Sequence, residues 1–234
     1  MTIIKKKALS TPDATSRAAR SLMTLMLALM TGLFGLSSCS EDNGEEDEYA
    51  DWQARNTAFF NAKYQQARTA IAAGDTSWKL LHNWSFNDSV RTEPESYVVA
   101  KVIERGTGTV CPLYTDSVYV NYRGYLISSS TITSSDDSEL GTVFDQSFTG
   151  DYNALTALPV MFQPATLVDG FTTALLQMHV GDRWKIYIPY SLGYGTTAHS
   201  TIPAYSTLVF DVSVVGIYHP DDDIPPYRAK KQAR

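Results

Sequence analysis

Ser117-Val118-Tyr119-Val120-Asn121-Tyr122-Arg123-Gly124-Tyr125-Leu126-Ile127 alternates along its length, with Val118, Val120 and Tyr122 on one side. A side-chain period of two predicts a β-strand with one face buried and one face in water, as in antiparallel sheets. The same reading applies to Tyr97–Glu104, Arg183–Pro189 and Thr207–Ile217. In the last of these, Leu208, Phe210, Val212 and Val214 share a face. Between the strands one helix is predicted, at about Val168–Met178, with Phe171, Leu175 and Met178 on one side. Gly181-Asp182 then turns the chain into the next strand. Many antiparallel strands around one helix predict an α+β fold.

Upstream of the strands, Phe60, Tyr64, Ala67 and Ile71 recur at i, i+4, i+7 and i+11, which predicts a helix over 49–73. Gly74 follows the last periodic residue and suits a left-handed C-cap. Residues 75–96 are turn-rich, with Trp78, Leu80, Leu81, Trp84 and Phe86, and are expected to form a packed linker. Downstream of the second strand, Ser128–Leu140 is polar and serine-rich, a long surface insertion.

The 234 residues carry a net charge of −6, with 44% hydrophobic residues. An acidic chain of this kind lacks the basic face that neutralises phosphates, so nucleic acid is not an expected partner. Two cysteines, Cys39 and Cys111, and four scattered histidines offer neither a disulfide framework nor a thiolate or histidine metal cluster. No metal and no cofactor is expected.

The N-terminal segment reads as an address. Lys5, Lys6, Lys7, Arg17 and Arg20 precede an apolar run from Leu22 to Leu36, too short to span hydrocarbon stably. Leu36-Ser37-Ser38-Cys39 resembles the lipobox of bacterial lipoproteins, which implies cleavage before Cys39 and lipid attachment there. Without residues 1–38 the chain keeps 14 basic and 24 acidic residues, a net −10. With Cys39 acylated, Cys111 is left without a disulfide partner and is expected to be a small buried hydrophobe. Six of the nine residues of Ser40–Glu48 are acidic, which suits a solvated tether. That acidic patch also resembles the surface-export tag of Bacteroidetes lipoproteins. These features imply a lipid anchor in the cell envelope, at the outer membrane, with either face open. The expected organisation is a signal peptide over 1–38, a tether over 39–48, a helix and linker over 49–96, the sheet domain over 97–218 and a disordered tail over 219–234.

No template for covalent or acid–base chemistry fits: there is no G-x-S-x-G, no paired cysteine and histidine with an orienting acid, and no phosphate-cradling glycine loop. Asp145 and Asp211 are the carboxylates set within the apolar pattern. The informative constellation is apolar. It runs through Val120–Leu126, Val143-Phe144-Asp145-Gln146-Ser147, Leu167-Val168-Asp169-Gly170-Phe171 and Met178–Asp182. It continues through Ile188-Pro189-Tyr190-Ser191-Leu192-Gly193-Tyr194-Gly195, Ile202-Pro203 and Leu208–Val212. In this order and spacing the seven pieces resemble the FKBP-type peptidyl-prolyl cis-trans isomerases over about residues 97–218.

The resemblance implies a five- or six-stranded antiparallel sheet curled around one short helix, with a hydrophobic cup between them. It implies Tyr122, Asp145 and Tyr194 as catalytic residues, and Phe144, Val160, Leu167, Val168, Phe171, His199, Ile202 and Phe210 as substrate-binding residues. Within that set, Phe171 would be the floor, Phe210 and Tyr122 the walls, and Asp145 the acceptor of a hydrogen bond from Tyr122. Phe171 stands where familiar members carry Trp, and Val160 where many carry an aromatic, which implies a roomier cup and weaker binding. Implied partners are proline-containing peptides or unfolded exported proteins and, weakly, macrolide immunosuppressant-type ligands.

Peptide rotation faces a barrier of about 18–20 kcal/mol that arises from amide resonance. Twisting the bond removes that resonance and leaves the carbonyl less polar, so an apolar cup that strips water from the planar form lowers the barrier. Two rival readings use the same residues: a non-catalytic binding or chaperone module on the envelope, and a surface adhesion or glycan-linked role through Trp52, Trp78 and Trp84.

Overall fold

The computed structural model describes residues 49–86, 92–128 and 140–224. The signal segment, Cys39, the acidic tether, positions 129–139 of the serine-rich insertion and positions 225–234 of the tail lie outside the described residues. Helix α1 is Trp52–Ala72. It is followed by strands β1 (Trp78–His82), β2 (Tyr97–Glu104), β3 (Ser117–Ile127), β4 (Leu140–Gln146) and β5 (Val160–Phe162). Helix α2 (Asp169–Leu175) and strands β6 (Arg183–Ile188) and β7 (Leu208–Tyr218) complete the chain. All strand pairs are antiparallel, in the order β1-β2-β6-β7-β3-β4, with β5 also on β3.

Among the described residues, the expected domain over 97–218 contributes six strands, as the resemblance implies, and a seventh joins the sheet from outside that span. The addition comes from within the expected linker: β1 pairs with β2 from Trp78↔Lys101 to His82↔Tyr97. It escapes period-two reading because all five of its residues are half-buried, so no alternation marks it. Strand β3 organises the other end. One edge pairs with β7 along most of its length, while the other edge is shared, Val118–Val120 with β5 and Arg123–Ile127 with β4.

Adjacent residues of β6 show how the helices are placed. The Tyr187 ring packs 6.2 Å from Phe59 of α1. The side chain of Ile188 lies against Gly170 of α2, where an added Cβ would come within 2.3 Å of Ile188 Cγ2. Neighbouring strand residues point to opposite faces, so α1 and α2 cover opposite faces of the sheet. This is why β2 is buried continuously at Val98, Val99 and Ala100 where a half-solvated strand would alternate. Gly170 is what allows α2 to sit this close, since any side chain there would push the helix off the sheet.

Helix α1 docks through Phe59, Phe60, Tyr64 and Ala67, and through two polar anchors. Trp52 Nε1 donates to Ser206 Oγ at 3.0 Å, and the Thr207 amide donates to Asn56 Oδ1 at 2.7 Å. Ile71, expected on the apolar stripe, is exposed, and no residue of the last helical turn is buried. Gly74 takes a φ of +87° beyond that turn, as a left-handed cap requires. Cys111 is half-exposed, not buried, with its Sγ 3.3 Å from His179 Nε2. The start of the expected disordered tail is held: His219 Nδ1 lies 2.9 Å from Asp116 Oδ1, and the His219 amide donates to Asp222 Oδ2 at 2.7 Å. Among the described residues, no helix is long and apolar enough to cross a membrane.

Candidate functional site

Between α2 and the concave face of the sheet lies a cavity of about 320 Å³. Its lining includes Tyr122 of β3, Phe144 and Asp145 of β4, Leu167 and Val168 before α2, Phe171 of α2, Tyr194 and His199 of the β6–β7 loop, and Phe210 of β7. These elements come together because β3 and β7 are neighbours in the sheet, with Gly124 opposite Phe210 and Tyr122 opposite Val212. Helix α2 then crosses the same face.

Phe144 and Asp145 are consecutive, yet both line the cavity. A regular strand would send them to opposite faces. The register against β3 runs Gly124↔Asp145 and then Tyr125↔Val143, so Phe144 has no partner and sits in a β-bulge. Such an insertion re-aims a side chain without ending the strand. Gly124 completes the arrangement. A Cβ there would come within 2.6 Å of the Phe144 ring and 2.7 Å of the Phe210 ring, so the bare backbone provides the shelf on which both rings rest.

The rings form a tight set. Phe171 meets Phe210 edge-on at 5.0 Å, Phe162 at 6.1 Å and Tyr122 at 6.5 Å, and Phe144 meets Phe210 at 5.4 Å. Edge-to-face contacts of this kind suit the ring quadrupoles. Phe171, at 4% exposure, forms the base of the cavity. At the mouth, Tyr194 and His199 stack nearly parallel, 4.4 Å apart and tilted by 6°.

Polar groups enter this apolar space at few points. The Tyr122 hydroxyl donates to Asp145 Oδ2 at 2.7 Å, while Asp145 Oδ1 accepts the Gln146 amide at 2.8 Å. Burial, reinforced by the Asp145 hydrogen bond and charge, holds the Tyr122 phenol far above its ordinary range. Burial also raises the Tyr194 phenol, with the Asp145 charge adding to it. Both hydroxyls thus stay protonated and able to donate.

Two expected lining residues are not among those that line the cavity. Val160 pairs with Val120 at the far end of β5, half-buried. Ile202 is buried beneath the loop, bridged to His199 by reciprocal backbone hydrogen bonds of 2.9 Å. Ile202 shapes the loop that presents His199. Sequence reading missed Phe162 and Thr166. Phe162 lies two residues beyond Val160, on the same face of β5, and brings its ring 5.2 Å from Tyr122. Phe162 thus brings an aromatic ring to the cavity wall from the same strand as Val160. The period-two rule could have located it. Asp211, the other embedded carboxylate, faces away from Asp145 chemistry and forms a two-bond pair with Arg183, at 2.9 and 2.7 Å.

Residues 111–215 match the family described as FKBP-type peptidyl-prolyl cis-trans isomerase. Over these residues the fold is FKBP-like. The chain is 37% identical over 123 residues to the "Macrophage infectivity potentiator" of Trypanosoma cruzi, covering 52% of this chain and 54% of that one. It is 36% identical over 124 residues to the "FKBP-type 22 kDa peptidyl-prolyl cis-trans isomerase" of Escherichia coli, 53% of this chain and 51% of that one. It is 28% identical over 173 residues to the "Outer membrane protein MIP" of Legionella longbeachae, 71% of this chain and 61% of that one. The chain thus spans about half the length of the first two curated relatives. The FKBP-type match includes every cavity-lining residue, from Tyr122 to Phe210.

Proposed function

We propose that this protein is a peptidyl-prolyl cis-trans isomerase of the cell envelope, acting on X-Pro bonds of exported proteins. The observation that carries the reading is the cavity itself, a ring-lined space of about 320 Å³ with two protonated phenols at its edge. The proline ring sits on Phe171, between Phe210 and Tyr122. The main-chain N–H of Val168 and the Tyr194 hydroxyl hold the carbonyls on either side of the prolyl residue. The Asp145 carboxylate, held by Tyr122, sets a negative field beside the twisting amide.

Catalysis then requires no proton transfer and no covalent step. Planar amide loses more hydration than the twisted form on entering the cup, so the barrier falls. Each 1.36 kcal/mol is a factor of ten, and about 6–8 kcal/mol would give roughly 10⁴–10⁶. Cys39 serves as the lipid attachment point and the acidic run after it as the tether, placing the domain at the outer membrane. Relatives named as an isomerase and as an outer membrane protein support activity on proline bonds at the envelope. Macrolide-type ligands would occupy the same cup.

The test is isomerisation of a proline tetrapeptide by the detergent-solubilised full chain. Acceleration abolished by Phe210→Ala supports the enzyme. Binding of unfolded polypeptide with no acceleration over the uncatalysed tens of seconds would make the protein a holdase instead.

A further inference from the structure

Outside the cavity, two large aromatic side chains pair in the open. Trp84 and Tyr114 bring their ring centroids within 4.5 Å at a tilt of 33°, yet they remain 42% and 40% exposed. They come from segments thirty residues apart that share no strand pairing. Each is tied by its main chain to an element of the proposed cup. The Trp84 amide donates to Thr173 Oγ1 on α2 at 3.3 Å, two residues from Phe171. The Tyr114 carbonyl accepts the Ala165 amide at 3.1 Å, and the next residue, Thr166, lines the cavity. The Tyr114 loop is itself pinned, since buried Asp116 accepts the Leu113 amide at 2.7 Å. The aromatic pair is thus a fixed outpost of the Thr166 wall.

We propose that Trp84 and Tyr114 form a second subsite for the same substrate chain, gripping an apolar or aromatic side chain a few residues from the proline. This rests on the isomerase reading of the cavity. Tyr114 is one hydrogen bond and one peptide step from the cavity wall, on the order of 9 Å, and an extended chain covers about 3.3–3.6 Å per residue. The side chain gripped is therefore a few residues from the prolyl ring. A short peptide ends before the pair, while an unfolded polypeptide reaches it. Exposed Trp and Tyr held rigid are the side chains that most often carry binding energy at low entropic cost. The consequence is selectivity for unfolded chains over short peptides, set outside the reacting centre.

The experiment compares a proline tetrapeptide with a twelve-residue proline peptide carrying Phe three residues from the proline, on either side. For Trp84→Ala and Tyr114→Ser, the tetrapeptide kcat/KM stays within twofold of wild type. The long-peptide value falls about fivefold to tenfold through KM, and Trp84→Phe restores most of it. Far-UV spectra and thermal melts confirm folding, and Tyr114→Arg serves if Trp84→Ala fails to fold. Unchanged long-peptide turnover, or an equal fall for both substrates, overturns the subsite. So does a neutral oligosaccharide that saturates the pair without affecting long-peptide turnover. If the wild type turns over neither peptide, the isomerase reading fails by itself. Calorimetric titration of the long peptide then still reads the pair, and equal affinity in the variants rejects it.

Discussion

The Tyr122 hydroxyl donates to Asp145 Oδ2 across 2.7 Å, joining β3 to the bulged β4 where this carboxylate meets the apolar cup. The bond fixes both partners: the ring stands as a wall and the carboxylate keeps its orientation. Removing either end should release the other. Tyr122→Phe and Asp145→Asn are each expected to lower kcat/KM on a proline tetrapeptide about tenfold, or 1.36 kcal/mol. The double variant should be little worse than the weaker single, because the two act as a unit. Additive losses would show that they act separately.

The same pair sets the alkaline behaviour. Burial raises the Tyr122 and Tyr194 phenols above 10, Asp145 adding to both, so neither loses its proton near neutrality. Isomerisation should be flat from pH 6 to 9, and the phenolate absorbance change near pH 10 should lack these two residues. A fall in rate with a midpoint near 9 that tracks a phenolate signal, absent in Tyr194→Phe, would contradict this.

At the floor, Phe171 touches Phe210, Phe162 and Tyr122, and its ring faces the open volume. Phe171→Trp adds apolar surface beside that volume, and at ~25 cal/mol per Å² a few tens of Å² is about 1 kcal/mol, roughly fivefold in affinity for a macrolide-type ligand. Calorimetric titration of both proteins reads the difference directly. Equal affinity would mean that Phe162 already fills the space an indole would take.

Much of this arrangement was legible from residue order. Strands β2 and β3 fall at their expected bounds because their apolar positions alternate or their flanks carry turn residues. Helix α2 is shorter than Val168–Met178 because Leu176 and Gln177 continue as a turn, with the Met178 amide bonded to the Leu175 carbonyl. Strand β1 was hidden because partial burial on both faces erases periodicity. The pairing of Phe144 with Asp145 on one side was also hidden, since a bulge is set by register against another strand and not by the local pattern. Val160 and Phe162 share one face of β5, and only the packing of Phe162 against Tyr122 and Phe171 decides which of them reaches the cavity. The three tryptophans expected to act at the surface part company: Trp52 is buried against Ser206, Trp78 is half-covered by Lys101, and Trp84 alone stands open.

Asp211 separates structure from chemistry. Its carboxylate holds Arg183 by two bonds, with side-chain exposures of 18% and 22%, and Arg183 also lies over the Tyr152 ring at 4.6 Å. The pairing raises the Arg183 guanidinium further above its ordinary range. Asp211→Ala leaves a half-covered cation with Glu104, 3.5 Å away, as its remaining carboxylate among the described residues, and is expected to cost about 1–3 kcal/mol in denaturant unfolding. Tetrapeptide turnover should be unchanged. A loss of turnover in a variant that folds normally would place Asp211 in the mechanism.

The contact of His219 with Asp116 predicts how stability depends on pH. Asp116 is fully buried, and its Oδ1 lies 2.9 Å from His219 Nδ1, while Asp222 accepts the His219 amide. The hydrogen bond to Asp116, then its charge and that of Asp222, raise the His219 imidazolium above the usual histidine value. A group whose folded pKa is raised binds its proton more tightly in the native state. Its contribution is therefore complete below the unfolded value of about 6.5 and disappears as pH rises through the folded value. Wild type should melt above His219→Gln at pH 5.5, and the gap should close by pH 9. The loss follows from the proton, because a neutral imidazole gives Asp116 a hydrogen bond without a compensating charge. A gap of constant size across that range would show that His219 only packs against the loop, and that the Asp116 carboxylate does not hold the imidazolium.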